Sequence, residues 1–211
     1  MGSTDSGGLD LLIDGGTLEL TGDIDFRNLG TANDKITFLD GVINGNADGV
    51  SGGTFFLRDS ATTAFDFQGG ILKGFATFNG TLTQDGGTVR VGNDAADFVS
   101  GDAPVTMTIT RNYDLNAGVL DLTLGDVAAL SADTLTVNGD VDLTGTGTLS
   151  LVQGAAYATA GAVEGATTLT LLSYAGTLTG EFAGLANGGE LVVGTDVYTI
   201  AGYLHQLSFL S

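Results

Sequence analysis

A chain of 211 residues with 35 Gly, one Pro, no Cys and a formal net charge of -19 is long enough to bury a core without disulfide or metal staples. Hydrophobic residues at 43% exclude a solvated disordered tail, and dispersed Gly with no Gly-X-Y triplet excludes collagen. Six basic residues stand against 25 acids, a surface that repels phosphate backbones and anionic headgroups and argues against nucleic-acid and membrane partners.

No run of 18 apolar residues occurs, so nothing in the sequence reads as a membrane-spanning helix. The opening Met1-Gly-Ser-Thr-Asp-Ser-Gly-Gly lacks the basic and apolar regions of a signal peptide, so export is argued from other features. No segment keeps a 3.6-residue apolar period, and Gly beside Asp, Asn and Thr between short alternating runs predicts many strands joined by tight turns.

Along the chain a phrase recurs, a Gly pair or small residue followed by x-apolar-x-apolar. It is clearest at Gly15-Gly16-Thr-Leu18-Glu-Leu20, Gly52-Gly53-Thr-Phe55-Phe-Leu57, Gly69-Gly70-Ile-Leu72 and Gly86-Gly87-Thr-Val89-Arg-Val91. Looser copies place the first apolar position at Ile36, Val105, Leu120, Leu135 and Leu149. The column 18, 36, 55, 72, 89, 105, 120, 135, 149 advances by 14 to 19 residues and shortens toward its end. A period of this length is the mark of a coil that repeats along an axis. Alternate strand residues face the same way, so this column is expected to form one buried stack of about nine tapering rungs. A second stack is expected at Phe65, Leu82 and Val99.

The fold predicted for residues 1–154 is a parallel right-handed β-solenoid (β-helix) within an all-β chain. Asn44-Gly45, Asn79-Gly80 and Asn138-Gly139 also suit type I′ hairpins, which makes an antiparallel β-sandwich the alternative. From residue 155 the pattern changes. Thr168–Tyr174, Glu190–Val193, Val197–Ile200 and Leu204–Leu210 read as stronger strands, so 155–211 is expected to be a C-terminal β cap over the open end.

Leu135-Thr-Val-Asn-Gly-Asp-Val-Asp-Leu143, Thr168-Leu-Thr-Leu-Leu-Ser-Tyr174, Gly176-Thr-Leu-Thr-Gly-Glu-Phe182 and Tyr198-Thr-Ile-Ala-Gly-Tyr203 carry a family resemblance. Over roughly 130–211 the chain resembles bacterial autotransporter passenger domains and related β-strand-repeat surface proteins, including those with a PEP-CTERM sorting signal. The resemblance implies secretion or display at the cell surface. It departs from that pattern in having no membrane β-barrel sequence and no sorting helix with a basic tail, which suits a released passenger, a fragment or another export route.

The residues offer little catalysis. His205, the sole histidine, lies in Tyr203-Leu-His-Gln-Leu207 and reads as a solvent-facing strand residue rather than a general base. Acid pairs that could serve a polysaccharide hydrolase or lyase occur at Asp23/Asp25, Asp94/Asp97 and Asp140/Asp142, but Asp is so common at these turns that pairs arise by default. No catalytic residue and no cofactor-binding residue is assigned. Calcium is the one metal the acids could take, with Asn93, Asp94 and Asp97 the densest oxygen cluster.

Outward positions beside the predicted stack read Glu19, Thr37, Phe56, Lys73, Arg90, Thr106, Asp121, Thr136 and Ser150. Such a mixed column argues against a water-ordering Thr lattice, despite the repeated Thr-x-Thr pairs. Phe56, Lys73 and Arg90 are the candidate contact patch. The expectation is an extracellular structural or adhesive module without catalysis, a spacer, fibre or filament subunit. Its partners would be further copies of itself, or a host or cell-surface glycan or protein. A polysaccharide-binding or polysaccharide-degrading β-helix is the alternative.

Overall fold

The computed structural model describes residues 10–26, 35–45, 52–57, 64–92, 105–159, 168–200 and 207–209. Among them every regular element is a strand. The chain opens with β1 (Asp10–Glu19), β2 (Ile24–Phe26) and β3 (Lys35–Asn44). It continues through β4 (Gly53–Leu57), β5 (Ala64–Phe67), β6 (Ile71–Lys73), β7 (Phe75–Asn79) and β8 (Leu82–Arg90). Next come β9 (Thr106–Ile109), β10 (Tyr113–Asp126), β11 (Thr134–Val137), β12 (Val141–Leu143) and β13 (Thr148–Ala158). The last are β14 (Thr168–Leu169), β15 (Leu172–Tyr174), β16 (Leu178–Gly180), β17 (Glu190–Val193), β18 (Asp196–Ile200) and β19 (Leu207–Phe209).

The strands stack into a β-solenoid. A wide sheet of nine strands takes β1, β3, β5, β6, β8, β10, β12, β13 and β16, and a narrow sheet of six runs β2-β4-β7-β9-β11-β15. Every pairing within these two sheets is parallel. From β1 to β13 the chain crosses the wide sheet, then the narrow one, and returns one level further along. The antiparallel sandwich is therefore not the body of this fold. Asn79-Gly80 and Asn138-Gly139 turn the corner from the narrow sheet to the wide one, and Asn44-Gly45 ends β3; none closes a hairpin.

The stacked columns differ from the single predicted one. On the wide sheet Leu18 pairs with Ile43, then Leu72, Val89, Leu120 and Leu149, advancing by 25, 29, 17, 31 and 29 residues. On the narrow sheet Ile24 pairs with Phe55, then Phe78, Ile109, Val137 and Tyr174. The predicted column thus interleaves two sheets: Phe55 and Leu135 belong to the narrow one, Leu72, Val89, Leu120 and Leu149 to the wide one. The taper is an artefact of that mixing. Alternation of apolar residues reports which face is buried but not which sheet the strand joins. Of the predicted second stack, Phe65 and Leu82 do lie on adjacent strands in one register, and Val99 lies outside the described residues.

Between the sheets the core is apolar and aromatic. Phe55 stacks on Phe78 with ring centroids 4.9 Å apart, and Phe65 of the wide sheet meets Phe55 edge-on at 4.9 Å. Phe38 stacks on Phe67 at 5.2 Å. Contacts of this kind add about 0.5–1.5 kcal/mol each beyond burial.

A glycine column shapes the wide sheet's bend. Gly16, Gly41, Gly70, Gly87 and Gly118 all have φ between +64° and +104°, which only glycine adopts cheaply. A Cβ built on Gly87 would lie 2.6 Å from the Gly70 carbonyl oxygen, and one on Gly118 2.4 Å from that of Gly87. Successive coils touch backbone to backbone here. Gln84, fully buried beside the bend, donates from Nε2 to the carbonyls of Gly87 and Val119 at 3.1 Å each, and its Oε1 accepts the Tyr113 hydroxyl at 2.7 Å. Burial pushes the Tyr113 hydroxyl well above its ordinary range, so it stays a neutral donor.

The parallel pairing passes residue 154. β13 runs through it, β15 pairs with β11, and β16 pairs with β12. Beyond these, β14, β19, β18 and β17 form a separate antiparallel sheet. Its Leu169, Val193, Tyr198 and Ile200 join the same apolar core, with Phe182 and Leu185 beside them.

Candidate functional site

The outer faces of the two sheets are chemically different. On the wide sheet the column outside the Leu18–Leu149 stack reads Glu19, Asn44, Lys73, Arg90, Asp121 and Ser150. Its members are tied across coils: Asn44 donates to Glu19 at 2.7 Å, and Arg90 Nε reaches Asp121 Oδ2 at 2.7 Å. A neighbouring column carries Asp66, Thr83, Asp114, Asp142 and Thr179, with Lys35 bound to Asp66 at 2.7 Å. Burial raises the Asp114 carboxyl above the usual carboxylate range against the opposing hydrogen bond from Thr83, and the charges of Asp142 and Asp140 add to the rise.

Of the acids considered as catalytic or metal-binding groups, Asp23, Asp140 and Asp142 accept backbone N–H groups at the coil corners. Asp23 Oδ1 accepts the Thr54 backbone N–H at 2.7 Å, one coil along. Asp140 Oδ1 accepts the Thr177 N–H at 2.7 Å, while Asn112 Oδ1 accepts the Asp140 N–H at 3.0 Å. Asp142 Oδ1 accepts the Thr144 N–H at 2.8 Å, and the Thr144 hydroxyl first, then this N–H, hold its carboxyl below the usual range. Side chains of one coil thereby satisfy backbone donors of the next. Asn93, Asp94, Asp97 and His205 lie outside the described residues, and among the described residues no group of three or more acids or histidines is arranged to hold a metal.

The proposed contact trio separates. Lys73 and Arg90 are register partners on the wide sheet, whereas Phe56 lies on the narrow sheet beside Asp25 and Asn79. A cluster that sequence reading missed joins the antiparallel sheet to the solenoid. The Tyr157 hydroxyl donates to Asp196 Oδ2 at 2.6 Å and makes a short contact with the Tyr198 hydroxyl. Burial, then hydrogen bonding to Asp196, raises the Tyr157 hydroxyl far above its ordinary range. Gln153 Nε2 adds a bond to the Val193 carbonyl at 3.1 Å.

The narrow sheet's outer face is where the register matters most. Phe55, Phe78, Ile109 and Val137 point inward and are fully buried, so Thr54, Thr77, Thr108 and Thr136 between or beside them point out. These four threonines are consecutive register partners, followed by Ser173. Thr106 and Thr134 pair beside Thr108 and Thr136, so two Thr-x-Thr pairs sit side by side. The single outward column expected from the sequence divides: Glu19, Lys73, Arg90, Asp121 and Ser150 share one mixed column on the wide sheet, Thr37 lies in its neighbour, and Phe56, Thr106 and Thr136 lie on the narrow sheet.

No protein-family model matches the chain, and neither the curated proteins nor the solved structures searched gave a match.

Proposed function

We propose that this protein is an extracellular structural or adhesive β-solenoid, a stiff surface module without catalytic activity. The observation that carries the reading is the use made of its polar side chains. Asp23, Asn112, Asp140 and Asp142 each accept a backbone N–H within or between coils, and Arg90 neutralises Asp121. Groups committed to holding the stack in register are not poised to transfer protons. The resemblance of 135–143, 168–174, 176–182 and 198–203 to secreted β-strand-repeat proteins supports an extracellular setting. Self-association through the first coil fits the partly exposed apolar residues there: Leu12 is 59% and Leu18 38% exposed, against 0% for Leu72 in the same stack as Leu18.

A glycan array run beside a polysaccharide lyase and hydrolase screen tests this. Binding without turnover is the expected result. Turnover abolished by Asp140→Ala, in a variant that keeps its melting temperature, would overturn it in favour of a polysaccharide-degrading β-helix.

A further inference from the structure

We propose that the threonine face of the narrow sheet binds an ordered water lattice, the surface of ice, as a function separate from any adhesive role.

The first support is periodicity. Thr54, Thr77, Thr108 and Thr136 occupy one column, and beside its last two members Thr106 and Thr134 form a second pair, in which the Thr134 hydroxyl donates to the Thr170 carbonyl at 3.1 Å. Parallel strands are about 4.8 Å apart, and two residues along a strand advance about 6.6 Å. Hydrogen bonds of about 2.75 Å in a tetrahedral network place next-nearest oxygens about 4.5 Å apart and repeat their layers at about 7.3 Å. The hydroxyl array approaches that lattice closely across the strands and within about a tenth along them.

The second support is charge, and it is independent of the first. In a chain of formal charge -19, the outward positions from Thr54 to Ser173 in this column, with Phe56 and Asn79 beside it, carry no ionisable group. Asp23, whose carboxylate accepts the Thr54 N–H at 2.7 Å, and Asp25, the register partner of Phe56, both stand one coil before the column begins. The wide sheet's outer columns carry Glu19, Asp66, Lys73, Arg90, Asp114, Asp121 and Asp142. Ionised side chains impose their own hydration geometry, so their exclusion from one face is what a regular water layer requires. Uniform β-branched threonines also lose little χ1 freedom on contact, since the strand already restricts them. An oligosaccharide groove would call for stacking aromatics; the two threonine columns hold none, and Phe56 lies beside them in register with Asn79.

The test uses the full chain. Partition into slowly grown ice and inhibition of ice recrystallisation are measured beside pull-downs on microcrystalline cellulose and chitin. Thr108→Lys and Thr136→Lys place charge on the face, Thr108→Val keeps shape while removing the hydroxyl, and Thr88→Lys places the same charge on the wide sheet. Circular dichroism melts confirm that each variant folds; if a lysine variant does not, Thr108→Val carries the comparison. The expected result is incorporation of the unaltered protein and Thr88→Lys into ice, loss of incorporation for the two lysine variants on the face, and weakened incorporation for Thr108→Val. Exclusion of the unaltered protein from ice overturns the proposal, as does unchanged incorporation of the variants on the face. Binding to cellulose or chitin without ice binding also overturns it and assigns the face to a neutral polysaccharide.

Discussion

Replacing Gly87 with Ala tests the bend that joins the coils. Gly87 has φ +64°, and an added Cβ would meet the Gly70 carbonyl oxygen at 2.6 Å and the Phe67 ring at 2.9 Å. The left-handed conformation costs an L-residue about 1–2 kcal/mol. Overpacking a region that cannot open adds about 1–3 kcal/mol, since the obstacle is backbone of the neighbouring coil. Gly16 is the matched control: it occupies the same column with φ +78°, but heads the stack, and a Cβ added there would find nothing within 4 Å. Gly16→Ala should therefore lose about 1–2 kcal/mol from conformation alone, and Gly87→Ala about 2–5 kcal/mol. The entropy that Ala removes from the unfolded chain is common to both and cancels in the difference. Urea unfolding followed by far-ultraviolet circular dichroism measures both. Equal losses would refute the claim that stacked coils touch backbone to backbone at this column.

Three further outcomes follow from the same geometry. Arg90→Met strips the partner from an Asp121 that is only 8% exposed in its side chain and whose Oδ1 is buried without a hydrogen bond. The loss should be about 2–3 kcal/mol, below the usual figure for a fully buried pair because Arg90 is partly exposed, and Asp121→Leu in the same background should recover most of it in thermal melts. Gln84→Leu leaves the buried Tyr113 hydroxyl without its acceptor and removes the bonds to the Gly87 and Val119 carbonyls, a loss of about 2–4 kcal/mol that Tyr113→Phe should partly reverse in a double-mutant cycle. Asp114 has a raised folded pKa, so the folded chain holds that proton more tightly than the unfolded chain and stability falls as pH climbs through the interval between the two values. Asp114→Asn should accordingly raise the melting temperature at pH 7 and have no such effect at pH 3, where Asp114 is protonated in both states.

Much of the architecture was legible because solenoid strands obey a simple period-two rule. The Gly pairs at 15–16, 69–70 and 86–87 mark one real bend, and Leu72 and Val89, 17 residues apart, are true register partners. The pair at 52–53 has the same appearance but opens β4 on the other sheet. Nothing in a local phrase says which sheet a strand joins, because both sheets bury the same kinds of side chain. That ambiguity hid the threonine column, whose members are separated by 23, 31 and 28 residues from Thr54 through Thr77 and Thr108 to Thr136. The corner roles of Asp23 and Asp140 were equally hidden, since each depends on a backbone donor more than 30 residues away. The Tyr157–Asp196–Tyr198 cluster had no sequence signal beyond β propensity.

The central claim is the register itself, and a chain without cysteine allows it to be read directly. Neighbouring parallel strands place outward Cα atoms about 4.8 Å apart, within the span a disulfide bridges. Under mild oxidation the double variant Thr108→Cys/Thr136→Cys should form an intramolecular disulfide, while Thr106→Cys/Asp121→Cys, neighbours only if all strands shared one column, should remain reduced. Crosslinking of the second pair and not the first would contradict the two-sheet solenoid described above.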